Sequence, residues 1–275
     1  MQARIEQLYD LPIADLPIDE VNDLFTTLRK ALNRGEVRSA EPDGLGGWRV
    51  NGWVKKGILL GFRAASLVDA SMGGFPFFDK ANLPVRGLRL EDGVRLVPGG
   101  SAIRDGAYVA PGVICMPPMY INIGAYVDER SMVDSHALVG TCAQVGKGVH
   151  VSAAAQIGGV LEPVGANPVI IEDEALIGGN CGVYEGTIVR RRAVLAAGVV
   201  LTASSRIYDL VHERIIAASP DGPLEIPEGG VVINGTRRIS GDFAAEHGLS
   251  IAAPIIVKYR DDRTDARAAI ESALR

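Results

Sequence analysis

The stretch from Val133 to Gly159 reads VDSHALVGTCAQVGKGVHVSAAAQIGG. An aliphatic residue stands at 133, 139, 145, 151 and 157, a spacing of six. A helix repeats at about 3.6 residues and a strand at about 2, so neither explains it. Extended backward, the register takes in Val97, Ile103, Val109, Cys115, Ile121 and Val127. A second series runs through Ile171, Ile177, Val183, Val189, Leu195, Leu201 and Ile207. The two are out of phase across GVLEPVGANPVI, whose Pro and Gly residues predict a loop thrown out at about 160–168. The fourth residue after each aliphatic is nearly always small, as at Ala107, Ala125, Ala137, Ala143 and Ala155, with Met119 the one large exception.

Six residues supply one short strand and one tight corner, and three such units close a triangular coil. The aliphatic points inward, the small residue fits beside it near the corner, and the corners call for compact residues or glycine freedom. Stacked coils pair as parallel strands about 4.8 Å apart and bury one continuous core. This is the hexapeptide pattern, and it resembles the left-handed parallel β-helix. The expected fold class is β with α flanks: an N-terminal mainly helical domain (1–95), the β-helix (96–208) and a C-terminal strand/helix extension (209–275).

In the flanks, DEVNDLFTTLRKALNR (19–34) predicts an amphipathic helix capped by Asp19, with Val21, Leu24, Leu28 and Leu32 near one face and Gly35 as its stop. A second helix is expected over NGWVKKGILLGFR, capped by Asn51. VVINGTRRIS and SIAAPIIVKYR read as strands and TDARAAIESALR as a terminal helix. This tail is expected to shield the open end of the prism.

Composition narrows the function. The 275-residue chain is long enough to bury a core unaided, and its net charge of −5 argues against a general nucleic-acid surface. Cys115, Cys142 and Cys181 have no CxxC spacing and read as buried thiols in a reducing compartment. No signal peptide or span of about 20 apolar residues is visible, so a cytoplasmic protein without membrane partners is expected.

Fold alone does not fix function, since such prisms include acyltransferases, metal-dependent carbonic anhydrases and structural proteins. The anhydrase type needs three histidines around a metal, and only His136 and His150 lie on the coils, so no metal site is expected. The segments NIGAYVDERSMVDSHALVGTCAQVGKGVHVS, IGGVLEP, ANPVIIED and SRIYD resemble the tetrahydrodipicolinate N-succinyltransferase family of lysine and diaminopimelate biosynthesis. RLVPGGSAIRDGAYVAPG and IIVKYR extend the likeness over most of 95–260.

The resemblance implies a homotrimeric N-acyltransferase with sites in clefts between neighbouring prisms. Succinyl-CoA is the co-substrate, with no tightly bound cofactor, and the acceptor is the amine of an opened cyclic imino-dicarboxylate. Acetyl-CoA, on the same or a related amino-dicarboxylate as in β-lactam phytotoxin synthesis, is the alternative. The amine must lose its proton and attack the thioester while the oxyanion is held. Asp134 matches the family's substrate-binding acid and is the first catalytic candidate, with Glu185 and His136 beside it. Arg95 matches a substrate-carboxylate arginine, and Arg206 is a second carboxylate candidate. Lys258, Arg190 and Gly159 are candidates for the CoA side. The chain departs from one branch of the family, which has glutamate at the position of Gly182 and tryptophan at that of His136. It also departs at Arg190–Arg192, where acids are expected.

Overall fold

A computed structural model describes residues 1–220 and 222–261. Its centre is a three-sided prism of left-handed parallel β-helix coils. Face 1 stacks the two-residue strands 102–103, 120–121, 138–139, 156–157, 182–183 and 200–201. Face 2 stacks 108–109, 126–127, 144–145, 170–171, 188–189 and 225–226. Face 3 stacks 95–96, 114–115, 132–133, 150–151, 176–177 and 194–195, then continues into the C-terminal strands. The second residue of nearly every pair points inward: Val133, Val139, Val145, Val151 and Ile157 are all fully buried in one core. Ala107, Ala125, Ala137, Ala143 and Ala155 lie buried beside them, as the small-residue rule required.

Two positions leave the series. Leu96, not Val97, stands opposite Cys115, and Val97 is only half-buried. The first coil is thus one residue out of phase, with Gly99 and Gly100 at positive φ in the next corner. At the other end Ile207 is buried but does not continue face 2; Ile226 pairs with Val189 instead. Residues 207–216 form a hairpin alongside, and the strand Ser250–Tyr259 pairs with both that hairpin and the strand Gly230–Arg238. This long pair continues face 3 through Val231 and Val232. The terminal helix expected from TDARAAIESALR lies outside the described residues.

Three helices, α1 (Gln2–Tyr9), α2 (Ile18–Asn33) and α3 (Gly52–Ala64), share a core that includes Phe25, Leu28, Ile58 and the prism residues Ile123 and Cys142. The sequence pattern did not announce α1. Asp19 is not the cap of α2: Pro17 holds that position, and Asp19 lies in the first turn, where a carboxylate meets the positive helix end. Asn51 does occupy the cap position of α3, but its side chain donates to Arg38 O (2.9 Å) instead of accepting from the helix.

The helices cover the edge between faces 1 and 2. Asn33 donates to Asp105 (2.6 Å), Arg29 pairs with Asp105, and Ser39 Oγ donates to Cys142 O (2.7 Å). The segment that follows α2 covers face 2, where Arg38 Nε donates to Gln144 Oε1 (2.9 Å) and Trp48 Nε1 to Glu172 Oε1 (2.9 Å). Among the described residues, none of these three helices covers face 1 or the edge between faces 3 and 1.

Candidate active site

The corners are built by left-handed backbone. Glycine supplies it at Gly124 and Gly148, but Arg130, His136, Cys142, Asn180 and Glu185 also adopt positive φ. A non-glycine residue there is uncommon and costs conformational energy. The coil pairs it back: His136 N donates to Pro118 O on the coil before (2.5 Å).

On the bare edge between faces 3 and 1, the corner Asp134–His136 presents a half-buried carboxylate and an exposed imidazole. Asp134 Oδ1 accepts from Ser135 N (2.7 Å), and its Oδ2 lies 3.6 Å from His150 Nε2 on the outward side of face 3. One carboxylate oxygen therefore fixes the corner while the other is directed towards an imidazole. The corners below it, Ser152–Ala154, Gly178–Asn180 and Ala196–Gly198, are small and uncharged.

Glu185 sits on a different edge, between faces 1 and 2, and its Oε2 accepts from Ala203 N (2.9 Å). Face 1 and two coils separate it from Asp134, so one chain does not bring these acids together. Arg95 is exposed on the first strand of face 3, and Arg206 lies at the other end of the stack. Arg206 lines a cleft of about 460 Å³ with Val200, Ser204, Ser205, Asn234 and Arg237. Two guanidinium groups, two hydroxyls and an amide suit an anionic ligand group there.

Lys258, on the strand Ser250–Tyr259, is 3.2 Å from Asp261. Gly159 starts the inserted loop and crosses so close to the backbone of Gly140 and Thr141 that a Cβ would lie 2.6 Å from Thr141 N. The loop docks on the helices: Leu161 packs into their core and the fully buried Lys55 donates to Ala166 O (2.6 Å). Burial holds the Lys55 ammonium below its ordinary pKa.

The run Arg190–Arg192 is tied to acids of neighbouring coils although Arg191 is exposed. Arg190 binds Glu172 (2.7 Å) and Glu225 (2.8 Å), and Arg191 binds Glu228 (3.0 Å). All three thiols are free and buried, and burial pushes those of Cys115 and Cys142 up to about 12.

The sequence reading missed two features. Asp209, with no side-chain exposure, accepts from Tyr259 Oη (2.8 Å) and Arg214 Nε (3.1 Å) and lies 3.0 Å from His212 Nδ1. His212 and Arg214 follow Asp209 within five residues, but Tyr259 comes from fifty residues on, and only the pairing of strand 207–209 with Ser250–Tyr259 brings it there. Tyr184 folds its ring back over Gly182 and Gly158. A Cβ at Gly182 would overlap Cε2 and lie 3.0 Å from the phenol oxygen, and one at Gly158 would lie 2.7 Å from Cδ1. The only signal was the departure at Gly182 itself.

The family model described as Tetrahydrodipicolinate N-succinyltransferase N-terminal matches residues 1–64. A second, described as Hexapeptide repeat of succinyl-transferase, matches residues 168–203. The chain is 42% identical over 261 residues to a curated Rhodopseudomonas palustris (strain BisA53) protein named 2,3,4,5-tetrahydropyridine-2,6-dicarboxylate N-succinyltransferase, covering 93% of this chain and 90% of that one. Proteins of the same name from Nitrobacter winogradskyi and Bradyrhizobium diazoefficiens show the same identity and coverage.

Proposed function

The chain belongs to the tetrahydrodipicolinate N-succinyltransferase family, and from that premise we propose that it transfers the succinyl group of succinyl-CoA to the amine of ring-opened tetrahydrodipicolinate. The observation that carries this reading is 42% identity across 93% of the chain to relatives bearing that name.

The amine nitrogen attacks the thioester carbon, the tetrahedral intermediate collapses with loss of the CoA thiolate, and the amine proton is removed as the amide forms. Asp134 on the bare edge orients the amine and takes that proton, with His136 lining the same corner. The Arg206–Arg237 cleft holds anionic groups of a ligand, and Arg95 binds an acceptor carboxylate. Arg190 is fully engaged in ion pairs, which argues against its role on the CoA side.

Two observations support a homotrimer. Asp134 and Glu185 are remote within one chain and would meet only across two prisms. Faces 1 and 3 also point partly exposed apolar side chains outward, among them Leu138, Met132, Leu176 and Val194. Buried free thiols support a reducing, cytoplasmic setting.

The test is thiol release by purified protein with tetrahydrodipicolinate and either succinyl-CoA or acetyl-CoA, with Asp134→Ala as control. Turnover with succinyl-CoA that the substitution abolishes is expected. Turnover with acetyl-CoA alone would replace the donor, and silence with both would remove the acceptor.

A further inference from the structure

On face 1 the outward strand positions carry Ala102, Tyr120, Leu138, Gln156, Gly182 and Val200. Gly182 alone has no side chain, and its space is filled from the neighbouring corner. The ring of Tyr184 lies in a channel floored by Gly182 and Gly158, where any Cβ would displace it. Packing thus fixes the ring, but nothing fixes its hydroxyl: among the described residues the phenol oxygen has no hydrogen-bond partner. A partly exposed phenol, packed through its ring and making no hydrogen bond within the described residues, is free to donate to an external acceptor.

Its neighbours indicate what. Gly182 pairs directly with Val200, and Val200 lines the Arg206–Arg237 cleft. The phenol, lying over Gly182, is therefore about one strand spacing, ~4.8 Å, along face 1 from Val200 in the cleft lining. A ligand anchored there by its anionic groups and running along face 1 passes the hydroxyl. The adjacent Glu185 cannot donate as a carboxylate, and one of its oxygens is already held by Ala203 N.

Resting on the acyl-transfer reading above, we propose that Tyr184 is a catalytic residue whose phenol donates a hydrogen bond to the carbonyl oxygen of the bound acyl thioester. As the amine attacks, that oxygen gains negative charge and the bond strengthens. When the C–S bond breaks, the charge leaves with the thiolate, and the phenol proton stays on Tyr184 throughout.

The experiment compares the full-length wild type with Tyr184→Phe and Gly182→Ala, by steady-state thiol release and thermal unfolding. Tyr184→Phe keeps the ring and removes only the donor. It should lower kcat by about a hundredfold, with KM for succinyl-CoA nearly unchanged, as loss of one oxyanion donor does. Its unfolding midpoint should match the wild type, since no internal hydrogen bond is lost. Gly182→Ala keeps the phenol but pushes the ring from its channel, and should also lower kcat. A Tyr184→Phe enzyme with wild-type kcat overturns the proposal while leaving the acyl-transfer reading intact. A wild type silent with both acyl-CoA donors overturns that reading and this inference with it.

Discussion

Two edges of the same prism, built from the same six-residue repeat, have opposite chemistry. The edge between faces 2 and 3 is crowded with charge, and its charges satisfy one another. Glu129 binds Lys147, Glu172 binds Arg190, and Arg191 binds Glu228, each pair drawn from neighbouring coils. The edge between faces 3 and 1 is lined by small residues around Asp134, His136 and, just inside, His150. A parallel stack places residues about 18 apart in sequence one strand spacing apart in space. Charges on every coil therefore become a ladder of ion pairs, whereas one acid among small residues keeps room for a ligand. Charge density on such a surface marks what holds the coils together. Chemistry is sought where charge is sparse and the corners are small.

The largest effect should come from the sparse edge. Asp134→Asn keeps an acceptor for Ser135 N–H, so the corner should survive while proton removal fails. Turnover should fall by about 10²–10⁴-fold without a change in unfolding midpoint. Full activity in this variant would make Asp134 a turn residue and erase the contrast between the edges.

The crowded edge should respond in the opposite way. Arg190→Met should lower stability by about 1 kcal/mol in denaturant titration, less in high salt, and leave KM for succinyl-CoA unchanged. The matched Arg206→Met should raise that KM and leave stability alone. A raised KM in the Arg190 variant would return that residue to the CoA site.

Asp209 offers a smaller and finer test. Its burial alone would push the carboxyl pKa up, but hydrogen bonds from Tyr259, His212 and Arg214 outweigh it and hold the group well below the usual carboxylate range. A folded-state pKa below the unfolded value means the unfolded chain binds the proton more readily. The stabilisation is then fully present above the unfolded carboxylate pKa of about 3.9 and is lost as pH falls below it. Asp209→Asn should therefore narrow the stability difference between pH 7 and pH 3 that the wild type shows. An unchanged acid slope would mean that the cluster contributes nothing to it.

The repeat was legible because its signal is local and redundant. Val133, Val139 and Val145 each report the same inward direction, so one irregular position such as Cys115 does not hide the period. It failed at its ends, where redundancy stops. Val97 gave way to Leu96 because Gly99 and Gly100 allow the first corner an extra residue, and Ile207 left the stack because Ile226 closes it. Asp134 and His136 were legible as one corner because they are two residues apart. The loop at 160–168 was visible as an interruption, but its landing place on α3, through Lys55 and Leu161, was not.

The sequence by itself determined the prism, the inward direction of the repeat aliphatics from Ile103 to Leu201 and the position of the insertion, because strand alternation and corner size are properties of six consecutive residues. It also carried the family resemblance that the relatives established. Only the tertiary structure decided which edge the helices cover, that Arg190 is consumed by Glu172 and Glu225, and that Asp134 and Glu185 stand on different edges. It alone laid Tyr184 over Gly182. Each of these depends on which side chains arrive from distant coils or helices to claim a space or a charge, and no local period records that.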